Sequence, residues 1–157
     1  MIKLMKFCAA VGLIGLCTGG AFAQEDRTVV AQAAVKDMAR ETVECAVYFD
    51  IVATVLLGSN ERATSQKYVD AYKLAAARAD SLSPGVVKAQ YDTIVKEMTN
   101  KVATANIPKK IEKNLSNVSM LEISVLQNQY GKLCKEVLND PGQRAKYWMQ
   151  QAGTPSP

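Results

Sequence analysis

Helix-breaking residues are scarce in this chain, and their positions limit its fold more than any other feature. Between residues 26 and 152 there are four glycines and three prolines, and the prolines are Pro84, Pro108 and Pro141. The alanine, leucine, lysine and glutamate that fill the intervals favour helices, and the alternation of period two that marks strands is scarce. We therefore predict an all-α fold whose helices begin near the prolines.

The breaks predict five helices within one domain, residues 24–152. Their expected limits are Asp26 or Thr28 to Leu57, Ser59 or Asn60 to Ser81, Ser83 to Ala105, Ser119 to Leu138, and Asp140 to Gln151. Residues 107–118 are ambiguous, either a short helix or the front of the fourth one. The capping-box pattern of Ser119 and Glu122 favours a break before the fourth helix. Residues 153–157 are expected to be a disordered tail.

The first 23 residues have the pattern of a secretory signal peptide. Lys3 and Lys6 precede an apolar stretch, and Ala21 and Ala23 form a small-x-small cleavage pattern before Gln24. Lipidation at Cys17 is an unfavoured alternative, since Leu16 is large. The stretch 43–57 is too short to span a membrane and contains an aspartate. We expect a soluble protein in the periplasm or outside the cell, of bacterial type.

The cysteines predict one long-range disulfide. Two of the four cysteines leave with the signal peptide, which leaves Cys45 and Cys134. Thiols pair in an oxidising compartment, so we expect these two to be bonded. A redox role is disfavoured because redox cysteines usually lie two residues apart at a helix start.

The disulfide favours an up-down-up-down four-helix bundle with an additional short C-terminal helix. In such a bundle the first and fourth helices are antiparallel neighbours, with Cys45 beside Cys134. The first helix extends well beyond this bridge, and the last helix has the length to cover it. Trp148 should then pack near Val30, Ala34 and Met38. On the last helix, Ala145, Trp148 and Met149 should be buried, and Arg144 and Lys146 exposed.

Composition excludes several kinds of chemistry. The chain has no histidine, which removes the usual transition-metal ligand and the commonest general base. Glycine-rich phosphate loops and a GxSxG nucleophile motif are also missing. Loss of Lys3 and Lys6 lowers the net charge from +4 to +2, so no nucleic-acid partner is expected. No cofactor is expected either. A carboxylate-based hydrolase needs only two acids facing a cleft, and its candidates are Glu41, Glu44 and Asp50.

One helical ridge is a candidate binding surface. Asp37, Glu41, Glu44 and Tyr48 follow the spacing i, i+4, i+7, i+11 beside the apolar stripe of the first helix. In the simplest interpretation, water or a basic side chain of a neighbouring helix (Lys73, Arg78 or Lys88) neutralises the acids, and a similar neighbour pairs with Asp50. The functional interpretation is a patch for a basic partner with Tyr48 as its anchor. A calcium site is less favoured, because helices lack the loop carbonyls that calcium uses.

Three classes of function remain open at this stage. A non-catalytic binding protein of the envelope, such as an inhibitor, a toxin-neutralising protein or an adaptor, needs only a rigid surface. A periplasmic chaperone-like or stress protein would need a flexible apolar groove, and a disulfide argues against that flexibility. A carboxylate-based hydrolase is the third class. The partner is expected to be another protein.

Overall fold

The computed structural model describes residues 19–105 and 120–153, and within them it is all-α with no strand. The helices are α1 (Gly19–Gly58), α2 (Arg62–Leu82), α3 (Val86–Thr104), α4 (Met120–Asn139) and α5 (Pro141–Ala152). The predicted all-α fold is confirmed. Most of the predicted signal peptide, the stretch 107–118, the cap Ser119 and the tail beyond Gly153 lie outside the described residues.

Three helix starts differ from the prediction. The first helix already includes Gly19, the first residue described, ahead of the predicted start at Asp26 or Thr28, because residues 21–28 contain no helix breaker. The N-cap of α2 is Glu61, and its side chain makes no capping bond. Asn60 is instead in the left-handed conformation (φ 65°), which asparagine tolerates, and closes the end of α1.

The start of α3 also moves, from the predicted cap Ser83 to Gly85. The backbone N–H of Ser83 donates to the carbonyl of Ala79, so this serine ends α2. Gly85 has φ 78°, a conformation that favours glycine, and becomes the N-cap of α3. The predicted cap of α5 is confirmed, since the Asp140 carboxylate accepts a bond of 3.0 Å from the N–H of Gln143.

Helix α1 is the centre of the molecule and contacts all four other helices. Its residues from Val43 to Val47 are buried except for Glu44, and the core continues along it to Leu56. This agrees with the apolar sequence of that segment, which has no polar face to turn to solvent. No helix in the described part of the chain is apolar enough over a sufficient length to cross a bilayer.

The predicted disulfide between Cys45 and Cys134 is present. Its sulfur atoms are 2.13 Å apart, its Cα atoms are 5.2 Å apart, and both residues are fully buried. One turn further along, Tyr48 stacks on Tyr130 with ring centroids 6.2 Å apart. Because residue numbers rise along α1 as they fall along α4, these two helices are antiparallel.

Hydrogen bonds join both α2 and α3 to α1. The hydroxyl of Ser65 donates to the carbonyl of Ala53 at 2.8 Å, at the end of α1 where the chain turns into α2. From α3, Tyr91 donates to Asp50, and Glu97 accepts from Arg40 at 2.9 Å. If α3 were parallel to α1, residue numbers would rise together in both helices from one contact to the next. Here they rise in α3, from Tyr91 to Glu97, while they fall in α1, from Asp50 to Arg40.

The last helix packs on α1, and its predicted face is only partly confirmed, since Ala145 and Trp148 are half-buried and Lys146 is exposed. None of its residues is buried, and Met149 is 45% exposed. The prediction that Met149 is buried and Arg144 exposed is wrong, since the Arg144 side chain is only 14% exposed. A Cβ atom added at Gly153 would lie 3.9 Å from Val30, which places the end of α5 on the first turns of α1. A buried ion pair, described below, also joins α5 to α1.

Candidate functional site: two clefts beside helix α1

The structure separates the predicted ridge into two environments. Asp37, Glu41 and Glu44 line a cleft between α1, α4 and α5, of about 530 Å³, which we call the α5 cleft. Tyr48 instead lines a second cleft, bounded by α1, α2 and α4. Glu41 and Tyr48 are only 6% and 3% exposed, so the four residues do not form one exposed surface.

Glu41 is engaged by Arg144 from α5. Both carboxylate oxygens accept bonds from this guanidinium, one of them at 2.9 Å. The pair is largely withdrawn from solvent, and bidentate geometry makes it one of the stronger polar contacts available. The Tyr147 ring lies over the same guanidinium, 4.2 Å from its central carbon. Glu41 raises the pKa of Arg144 through this hydrogen bond, so the arginine stays charged.

Glu44 belongs to a second polar group that joins α1 to α3. The guanidinium of Arg40 lies 3.4 Å from Glu44 and 2.9 Å from Glu97. Burial raises the pKa of the Glu44 carboxyl, although the charges of Arg40 and Lys101 act to lower it. The position of Glu44 in the α5 cleft therefore disfavours the charged form of its carboxyl group.

The two other candidate residues are Tyr48, which is buried, and Asp50, which is half-buried. Tyr48 packs against Phe49, with ring centroids 5.2 Å apart, and burial raises its pKa to about 12. Asp50 accepts a hydrogen bond from the Tyr91 hydroxyl, so its partner is a tyrosine and not the predicted lysine or arginine. Burial and the contact with Asp50 raise the pKa of Tyr91.

The basic neighbours proposed from sequence are not the ones found. Arg78 donates to the carbonyls of Val137 and Leu138, where it caps the last turn of α4. The partners of the acids are Arg40 and Arg144, which sequence reasoning missed. A signal for Arg144 was present, because an antiparallel pairing of Cys45 with Cys134 puts Glu41 level with Leu138, just before α5.

Trp148 lines the α5 cleft and has an unusual polar group. Its indole Nε1 is buried and has no hydrogen-bond partner among the described residues. The indole lies edge-on to Tyr147, with ring centroids 5.2 Å apart. Trp148 was predicted to pack near Val30, Ala34 and Met38, and it shares its cleft with Asp37 and Glu41 of the same part of α1.

Potential metal ligands are dispersed in the described part of the chain. No group of three or more His, Cys, Asp or Glu side chains in residues 19–105 and 120–153 is arranged to hold a metal ion. The α5 cleft is lined by charged side chains together with Tyr147 and Trp148. The chain matches no family model, no curated protein and no solved structure.

Proposed function

We propose that this protein is a non-catalytic binding protein of the bacterial envelope, of the inhibitor, toxin-neutralising or adaptor type, and that its partner is another protein. The observation that carries the proposal is the surface of α5 beside the cleft. Tyr147 is 40% exposed there, next to Trp148 and Arg144. Tyrosine, tryptophan and arginine are among the residues enriched at protein interfaces.

The charges of the α5 cleft support a partner with a basic group. Arg144 neutralises Glu41, and Arg40 lies against Glu44. Asp37 is exposed and makes no ion pair with any residue in the described part of the chain. Of the predicted ridge, Asp37 is therefore the acid available to a lysine or arginine of the partner.

The other classes have weaker support. A chaperone-like or stress protein needs a flexible apolar groove, and the α5 cleft is charged and is bounded by two disulfide-linked helices. A hydrolase would need two free carboxylates, and both oxygens of Glu41 are occupied by Arg144.

The test compares what the mature protein captures from its native envelope fraction with what matched variants capture. We expect Tyr147→Ser to lose a protein that the wild type enriches, and Asp37→Lys to weaken its capture. The controls are Gln143→Ser and Lys146→Ser, which change exposed residues of α5. Equal capture by all variants would exclude this surface. Replacing Glu41 is unsuitable, because it breaks a buried ion pair.

Export is part of this proposal. It rests on the signal-peptide pattern of residues 1–23 and on a disulfide that an oxidising compartment would maintain. Mass spectrometry of the protein from the periplasmic fraction should give a chain that begins at Gln24. A chain that retains its first residues and is found only in the cytoplasm would contradict export.

We also propose a modified bundle order. The contacts with α1 support α2 and α4 as its antiparallel neighbours, as in the predicted up-down-up-down bundle. The contacts of α3 at Asp50 and Arg40 favour a helix that crosses α1 obliquely between α2 and α4.

A further inference from the structure

Gly131 lies in the interior of α4, where glycine is unfavourable. A glycine inside a helix costs about 1 kcal/mol relative to alanine. A Cβ atom at this position would lie 3.4 Å from Cγ of Gln127 and 3.6 Å from the hydroxyl of Tyr48, which are ordinary contact distances. Packing therefore does not require a glycine here.

Gly131 lines the second cleft, of about 570 Å³, which we call the aromatic cleft. Tyr48, Phe49 and Tyr68 contribute its aromatic part, and the rings of Phe49 and Tyr68 are 6.2 Å apart. The absence of a side chain at Gly131 keeps the space beside the Tyr48 hydroxyl open. The volume falls within the range of about 300 to 1,000 Å³ that is usual for small-molecule sites.

The charged side chains that line this cleft are basic. They are Lys132 and Lys135, and none of the described residues lining it is acidic. Lys132 approaches Glu136 only at 4.0 Å, and its side chain is 92% exposed, so this contact leaves the ammonium group available. Tyr48 and Tyr68 also contribute hydroxyl groups, which can donate and accept hydrogen bonds.

We propose that the aromatic cleft binds a small planar anion, an aromatic carboxylate in chemical class. The ring would lie against Tyr68 and Phe49 beside Gly131, and the carboxylate would face Lys132 and Lys135. This site is separate from the α5 surface of the proposed function, so either proposal can fail without the other.

The experiment titrates the disulfide-bonded protein with three probes at low ionic strength, followed by calorimetry or NMR. The probes are naphthoate, its neutral analogue naphthamide, and cyclohexane carboxylate, which keeps the charge but is not planar. We expect naphthoate to bind about five- to tenfold more tightly than either control, since exposed charges and aromatic contacts each contribute modestly. Equal binding of naphthoate and cyclohexane carboxylate would overturn the proposal.

Variants of the cleft locate the binding. Gly131→Leu should fill the cleft and abolish naphthoate binding. Gly131→Ala should raise Tm by about 3 °C through helix propensity and still weaken binding, which keeps the test valid if the leucine variant does not fold. Lys132→Met with Lys135→Met should lower the affinity for naphthoate to that for naphthamide. The matched control is Lys88→Met with Lys96→Met, two exposed lysines of α3. Unchanged affinity in the Gly131 variants would overturn the proposal.

Discussion

Glu44 shows that the surroundings of one side chain can disfavour its charged form although the neighbouring sequence gives no sign of this. It is an ordinary glutamate on a helix, four residues after an arginine that pairs with it at 3.4 Å. Burial nevertheless raises the pKa of its carboxyl, because partial removal from water disfavours the charge more than Arg40 and Lys101 favour it. The folded protein therefore binds this proton more tightly than the unfolded chain does.

This gives a pH-dependent prediction. The stabilising effect of a protonated Glu44 is fully present below the ordinary pKa of 4.5 and is lost as pH rises through the raised pKa of the folded state. We expect Glu44→Gln to be more stable than wild type near neutral pH and equal to it near pH 3. Arg40 keeps its partner Glu97 in this variant.

Urea unfolding at a series of pH values measures the difference. The control is Glu61→Gln, which changes an exposed glutamate at the start of α2. A difference between Glu44→Gln and wild type that does not change with pH would contradict the prediction.

Helix α5 illustrates at the level of the element why sequence predicted a helix on α1 but not the contact that joins them. Its cap, Asp140 followed by Pro141, could be recognised from local sequence, because capping needs only neighbouring residues. The part of Arg144 in its docking could not, because Arg144 is charged and was assigned to solvent. The carboxylate that receives it lies 103 residues earlier in the chain, and only the packing of α5 on α1 brings the two together.

We predict that Arg144→Met lowers the free energy of unfolding by about 3 kcal/mol, because it leaves the Glu41 carboxylate buried without its partner. The double variant Glu41→Leu with Arg144→Met should recover most of this loss, since no charge is then left uncompensated. Urea unfolding followed by circular dichroism is the measurement.

Lys146→Met, an exposed change on the same helix, is the control and should be close to wild type. If Arg144→Met resembles this control, the ion pair does not hold α5.

At the scale of the whole molecule, one disulfide bond links α1 to α4. Cys45 and Cys134 are separated by 89 residues and are completely buried. In the chain-entropy account, a crosslink that closes a loop of this length removes about 4 to 5 kcal/mol of denatured-state entropy. Cys45→Ala with Cys134→Ala should lose up to this amount in free energy of unfolding.

Denaturant unfolding of the double alanine variant, beside wild type with and without reductant, measures the contribution. A thiol count on the oxidised, denatured mature protein serves as the control and should find no free thiol. Two free thiols per chain would contradict the bridge.

The sequence by itself determined the helical content, most interruptions and the pairing of the two cysteines. These follow from local propensity and from the fact that two cysteines allow only one intramolecular pairing. The tertiary structure decided which polar groups meet. Glu41 pairs with Arg144, Asp50 accepts a hydrogen bond from Tyr91, and Tyr48 is buried. The sequence could not predict these contacts, because a helical wheel gives the direction of a side chain and not the residue that lies opposite it. That information exists only once α2 to α5 have packed around α1.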